Sequence, residues 1–253
     1  MVLKMKVGIL GGTGWLGGAL ARNLLKAGHP PGDLLVLNRR GPVADFDAWP
    51  GVVWPADLAA MAAACDSLVL SVRPEDYRVA APLPFGGQVI SFMAGVSLED
   101  LARDFPAARI ARAMPGGGAS EGTAHVPWCG AGEAGMLAAL GQVDRVADEA
   151  ALAYLSALSG SGAAYPALMA QAMYRHALAQ GLPPDVAWNA VRSVVCGSPA
   201  LFAGGIAQAE ALLETYHSYR GITAAGLDAA AAAGFSDAVA AALEAATAKA
   251  LDF

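Results

Sequence analysis

Charge, cysteine and aromatic side chains are all scarce in this chain. Of its 253 residues only 15% are charged, 7% are aromatic and three are cysteine, and the formal net charge is −6. No run of basic residues occurs, which excludes recognition of nucleic acid or an anionic membrane surface through phosphate neutralisation. Cys65, Cys129 and Cys196 are odd in number, far apart and without metal-ligand spacing. They read as reduced structural thiols of a cytoplasmic protein, not as a disulfide framework or a zinc site. His29, His125, His176 and His217 are equally scattered, so no metal centre is expected. No uninterrupted apolar run reaches the roughly 18 residues of a membrane span. The stretch Met1 to Val7 before the first glycine loop is too short for a signal peptide.

What is abundant is apolar, 56% of the chain, and much of that is alanine. Such a composition fills a core, favours close-packed helices and suggests burial between subunits. Short β-branched runs at Lys6 to Leu10, Leu34 to Asn38, Val52 to Trp54, Ser67 to Val72, Gln88 to Phe92 and Arg109 to Ala113 alternate with helical stretches. This alternation predicts an α/β, doubly wound parallel sheet, with Thr123 to Trp128 and Gly141 to Val146 as further edge strands. The character changes near residue 147. Beyond it, helical patterns cover Glu149 to Leu158, Gly162 to Gln180, Pro184 to Phe202, Ile206 to Glu214 and Ser236 to Leu251. Gly181-Leu182-Pro183-Pro184 ends one helix and starts the next. Two domains are expected, 1–147 and 148–253. Alanine-rich helices bury little each, so the second is expected to pair with its copy in a homodimer, open to further assembly.

The segment Gly8-Ile9-Leu10-Gly11-Gly12-Thr13-Gly14-Trp15-Leu16-Gly17 lies between the first strand and the first helix. Its Gly12-x-Gly14-x-x-Gly17 spacing suits a dinucleotide, because the backbone can approach a pyrophosphate and the helix N-terminus offers free N–H groups. Gly11, Gly12, Gly14 and Gly17, with Leu16, are expected to line the pyrophosphate. The second strand ends Leu37-Asn38-Arg39-Arg40, without the carboxylate that binds a ribose 2′-hydroxyl. Arginine suits a 2′-phosphate, so NADP(H) is favoured over NAD(H), with Asn38 and Arg39 beside the adenosine phosphate.

Four segments, in order, resemble pyrroline-5-carboxylate reductase. They are the glycine loop; Val69-Leu70-Ser71-Val72-Arg73-Pro74; Ile90-Ser91-Phe92-Met93-Ala94-Gly95-Val96-Ser97 with Arg112-Ala113-Met114-Pro115; and Ala157-Leu158-Ser159-Gly160-Ser161-Gly162-Ala163-Ala164-Tyr165, close to the family's "LSGSGPAY". The resemblance implies a Rossmann domain followed by a helical dimerisation domain. It also implies hydride transfer from a nicotinamide to a cyclic imine that carries a carboxylate, and a site completed by a loop of the helical domain. Trp15, Val72, Arg73, Pro74, Ala94, Gly95 and Met114 would then be cofactor contacts. Ser218, Gly221 and Thr223 would hold the substrate, with Ser218 and Thr223 touching carboxylate and imine. An iminium already accepts hydride, so no strong general base is needed.

The chain departs from the family on the substrate side. Where the family reads "S-P-G-G-T-T-x-x-G-L", this chain has Ser218-Tyr219-Arg220-Gly221-Ile222-Thr223-Ala224-Ala225-Gly226-Leu227, and the family's "MPN-T-P" is Met114-Pro115-Gly116-Gly117-Gly118. Either the substrate is a different or larger imine or keto acid with Arg220 as a new carboxylate partner, or activity is weak. The Gly-Gly-Thr-Gly opening also resembles F420-dependent NADP oxidoreductases, which would not explain the LSGSG run. A non-catalytic NADP-binding dimer is the competing expectation from another class. Ser159 and Ser161 have no His and acid nearby in sequence, so they are read as helix-capping hydroxyls, not nucleophiles.

Overall fold

The computed structural model describes residues 5–77 and 81–252; Met1 to Lys4 of the leading stretch lie outside the described residues. The chain divides into two compact units, one of Met1–Ser161 with Ala246–Phe253 and one of Gly162–Ala245.

The first unit is built on β1 (Val7–Leu10), α1 (Trp15–Lys26), β2 (Leu34–Leu37), α2 (Leu58–Ala64), β3 (Ser67–Leu70), β4 (Gln88–Ser91), α3 (Leu98–Asp104), β5 (Arg109–Ala113), β6 (Ala124–Gly130), β7 (Gly141–Arg145) and α4 (Glu149–Leu155). The seven strands form one sheet in the order β2-β1-β3-β4-β5-β6-β7. The pairings from β2 to β5 are parallel, and β3 and β4 are buried along their whole length. That burial is why these strands read as continuous apolar runs: helices cover both faces of a parallel sheet. Val7, Ile9, Val69 and Ile90 face a core shared with Leu20, Leu24 and Leu25 of α1. Leu68, Leu70 and Val89 face the opposite core with Met61, Leu101 and Phe105.

Capping fixes where the helices begin. Asp57 accepts from the Ala60 N–H at 2.8 Å, Asp148 accepts from Ala151 at 2.8 Å, and Ser97 with Asp100 forms a capping box; each such cap contributes about 1 kcal/mol. Two sheet features differ from the sequence expectation. Val52–Trp54 makes only an isolated bridge, Leu35 to Val53, since Pro50 and Pro55 leave too little chain to donate a ladder. The sheet is also not parallel throughout, because β6 runs antiparallel to β5.

The second unit contains α5 (Ala164–Ala179), α6 (Pro184–Arg192), α7 (Ile206–Ser218) and α8 (Ile222–Ala232), and α9 (Phe235–Leu251) ends the chain. Its helices leave many large side chains exposed within the chain: Leu168 is 65% exposed, Ile206 75% and Ile222 94%. Pro184 sits at the first position of α6, as its fixed φ requires. The stretch to Phe202 is not one helix; it passes into a π-helical turn at Ser193–Gly197 and a 3-10 turn at Ser198–Phe202. A second π-helical turn, Ser156–Ser161, follows α4. Among the described residues no single helix is long and apolar enough to cross a membrane.

Candidate functional site

The glycine loop joins β1 to α1 at the carboxyl ends of the central strands, where an open sheet of this type leaves its crevice. Gly11 has φ +81°, and a Cβ there would lie 2.1 Å from the Ser71 carbonyl oxygen. Only glycine satisfies both the left-handed backbone and the contact with β3. The Gly11 N–H donates to the Leu37 carbonyl at 2.8 Å, which ties the loop to β2. Gly14 is the N-cap of α1 and brings no side chain, leaving the first-turn N–H groups and the positive helix end open to an anion.

A cleft of about 890 Å³ opens over this loop, lined by Gly11, Thr13, Gly14, Asn38, Arg39, Arg40, Val72 and Arg73 among others. Asn38 donates to the Thr13 hydroxyl at 2.8 Å and accepts from the Arg40 N–H at 3.1 Å. Arg39 is 86% exposed and pairs with Asp76 at 3.2 Å. The other expected cofactor residues are distributed differently. Trp15 projects at 63% exposure, Leu16 packs on the core, and Gly12 and Gly17 are buried. Gly17 meets the Gly11 carbonyl too closely for a side chain. Pro74 starts the 3-10 turn Pro74–Asp76 beside the cleft.

Ala94, Gly95 and Met114 line a second cavity of about 360 Å³, together with Ser97, Arg112, Glu149 and Ser156. Arg112 is its charged anchor. Its Nη1 donates to Glu149 Oε1 at 2.5 Å and its Nη2 to the Met93 carbonyl at 3.1 Å, while Glu149 Oε1 also accepts from the Leu98 N–H at 3.0 Å. One ion pair thereby joins β5, the turn after β4 and the starts of α3 and α4. The Arg112 side chain is 12% exposed and its Nε has no partner among the described residues. The Glu149 side chain is 35% exposed, so water replaces part of what Arg112 supplies once the arginine is removed. Arg112→Ala should therefore lower stability by about 2 kcal/mol, read as a drop in Tm and in the denaturant midpoint. Neither member stood out in the sequence as a partner of the other; 37 residues separate them.

The expected substrate residues lie in the second unit. Ser218 ends α7 and its hydroxyl donates to the Thr215 carbonyl at 2.7 Å. Arg220 follows with φ +48° and Gly221 caps α8, so the segment is a tight turn between two helices. Ser218, Tyr219, Arg220, Gly221 and Thr223 are all exposed, Tyr219 at 78%.

The structure corrects one expectation outright: Ser159 has both a histidine and an acid beside it. His125 Nδ1 lies 3.1 Å from Ser159 Oγ, and His125 Nε2 lies 3.1 Å from Asp144 Oδ2. Ser159 does not cap the next helix either. It donates to the Leu155 carbonyl at 2.8 Å, and α5 has Ala163 as its N-cap, with no side-chain cap. The strand pairing of β6 with β7 brings His125 and Asp144 together from 19 positions apart, and the π-helical turn Ser156–Ser161 brings Ser159 to His125 from 34 positions away.

Comparison with known proteins agrees with this architecture. Residues 149–252 match the family model "Pyrroline-5-carboxylate reductase dimerisation", and residues 6–95 match "NADP oxidoreductase coenzyme F420-dependent". A pyrroline-5-carboxylate reductase of Synechocystis is 30% identical over 79% of this chain and 79% of its own length. One from Arabidopsis thaliana is 28% identical over 88% of this chain and 86% of its own. A solved pyrroline-5-carboxylate reductase of Coxiella burnetii shares the fold with a TM-score of 0.85 at 23% identity, covering 99% of this chain and 98% of that one. The NADP-bound Plasmodium falciparum enzyme does so with a TM-score of 0.80 at 20% identity, over 99% and 98% of the two chains. On this sequence identity and coverage, the chain belongs to the pyrroline-5-carboxylate reductase family, oxidoreductases that act on carbon–nitrogen double bonds.

Proposed function

We propose that this protein reduces a cyclic imino acid with NADPH, and that 1-pyrroline-5-carboxylate, giving proline, is its substrate. The observation that carries this reading is the 30% identity to a pyrroline-5-carboxylate reductase across 79% of the chain. The residues of the cleft fit NADP(H). A pyrophosphate can approach Gly11 and Gly14 where side chains are absent, and the tip of β2 presents Asn38, Arg39 and Arg40 with no carboxylate of its own. Arginine there favours the 2′-phosphate of NADPH over the free hydroxyl of NADH. The bound dinucleotide supplies the hydride.

The chain's own residues bind and orient. Asn38 and Arg39 hold the adenosine phosphate, and Gly11, Gly12, Gly14, Trp15, Leu16 and Gly17 form the pyrophosphate turn. Val72, Arg73, Pro74, Ala94, Gly95 and Met114 flank the nicotinamide end. Ser218, Gly221 and Thr223 receive the substrate, the Ser218 and Thr223 hydroxyls donating to its carboxylate, with Arg220 as an additional cationic partner. The functional division we assign is 1–147 for the dinucleotide and 148–253 for substrate and dimerisation. The exposed Leu168, Ile206 and Ile222 support assembly as a homodimer through the helices, with larger oligomers built from it.

The bulk of Tyr219 and the charge of Arg220 favour a second reading, in which a larger imine is preferred. Steady-state reduction of 1-pyrroline-5-carboxylate beside larger cyclic imines tests both. A higher kcat/KM for the pyrroline supports the first reading, and a higher value for a larger ring supports the second.

A further inference from the structure

We propose that His125 is a positioning residue that fixes two walls of the cavity beneath Arg112, and that the Asp144–His125–Ser159 relay is not a nucleophilic triad. This rests on the reading of the protein as an imine reductase. Ser159 has one hydroxyl proton, and it goes to the Leu155 carbonyl. Its oxygen is therefore an acceptor toward His125 Nδ1, the reverse of what a serine nucleophile needs. The Leu155 bond also satisfies a carbonyl at the point where α4 gives way to the π-helical turn Ser156–Ser161, a transition that frees backbone groups and recurs at functional sites.

The same histidine holds a second segment through its backbone. The His125 carbonyl accepts from the Gly116 N–H at 2.9 Å. A Cβ on Gly116 would lie 2.7 Å from the Ser159 carbonyl oxygen and 3.3 Å from that of His125. Glycine at 116, where the resemblance would have placed asparagine, is thus what lets the Ser159 turn close against this loop. Met114, two residues before Gly116, and Ser156, three before Ser159, both line the 360 Å³ cavity with Arg112. His125 ties the strand β6 to both walls, and Asp144 on β7 restrains the ring from its far side.

The two ring nitrogens can be tested separately. Asparagine places an amide where Nδ1 stands, and glutamine places one where Nε2 stands. In His125→Ala and His125→Gln, amide exchange in residues 156–161 should rise about ten-fold through local opening. In His125→Asn, which keeps the donor to Ser159, it should stay near the wild-type rate. The NADPH Kd should rise about ten-fold in the first two variants and return to within about two-fold of wild type in His125→Asn. Equal exchange in wild type and His125→Ala would overturn the proposal. So would a His125→Asn variant that behaves like His125→Ala, or labelling of Ser159 by a fluorophosphonate. The exchange measurement needs no turnover, so failure of the relay and failure of the imine reductase reading are distinguishable.

Discussion

Gly14→Ala is expected to weaken NADPH binding about 100-fold, close to 3 kcal/mol, while the protein still folds. Gly14 has φ −77° and ψ −178°, a conformation open to any residue, and its added methyl would meet the Gly11 carbonyl at 3.2 Å and the Ser71 carbonyl at 3.9 Å. The loop can absorb that by a shift of a few tenths of an ångström. A pyrophosphate laid on the α1 N-terminus cannot, because its affinity depends on contact distance to the free N–H groups. Gly11→Ala is the control with the opposite signature. Its φ of +81° and a contact of 2.1 Å to the Ser71 backbone make the lesion structural, costing at least about 3 kcal/mol of stability. Fluorescence titration with NADPH and thermal melts of both variants check the contrast. Loss of fold in Gly14→Ala, or unaltered NADPH affinity, would remove the glycine loop from its assigned role.

Thr223→Ala should lower kcat/KM for the imino acid by about 30- to 150-fold and leave the NADPH Kd within two-fold of wild type. The reason is geometric. Thr223 occupies the first turn of α8, exposed, directly after the Arg220–Gly221 turn, and its hydroxyl is free to donate to a carboxylate laid on that helix end. Removing a charge-assisted donor from a substrate costs about 2–3 kcal/mol. Ser218→Ala should fall in the same direction but less far, because the Ser218 proton is engaged with the Thr215 carbonyl in the absence of substrate. If Thr223→Ala keeps wild-type kcat/KM, the assignment of the α7–α8 turn to the substrate is wrong.

The legible parts of this molecule are those encoded locally. The strands β1 to β4 announce themselves as mainly apolar runs because both faces of the sheet are covered, and the glycine loop does so by spacing. The helices of the second half are legible from alanine and from Pro183-Pro184. What the sequence conceals is set by partners far along the chain. The reversal of β6 depends on pairing with β5, which periodicity does not encode. Helix α8 lies in a stretch whose Gly221 and Gly226, and whose family resemblance, both suggest a loop; its alanines, Ala224 and Ala225 and then Ala229 onward, are the local sign of a helix. The Arg112–Glu149 pair and the His125 relay are the clearest cases. In each, a charged or polar side chain inside a strand signals a partner without naming it, and only the folded arrangement of β5, β6 and β7 with α4 and the turn after it reveals which one.

The measurement that bears most directly on the central claim is transfer of deuterium. The protein is incubated with 1-pyrroline-5-carboxylate and NADPH carrying deuterium at the nicotinamide C4, and the product is analysed by mass spectrometry and NMR. An imine reductase of this kind consumes NADPH and yields proline with deuterium on its δ carbon, the former imine carbon. Tight binding of NADPH with no deuterated product from this or any larger cyclic imine would contradict it.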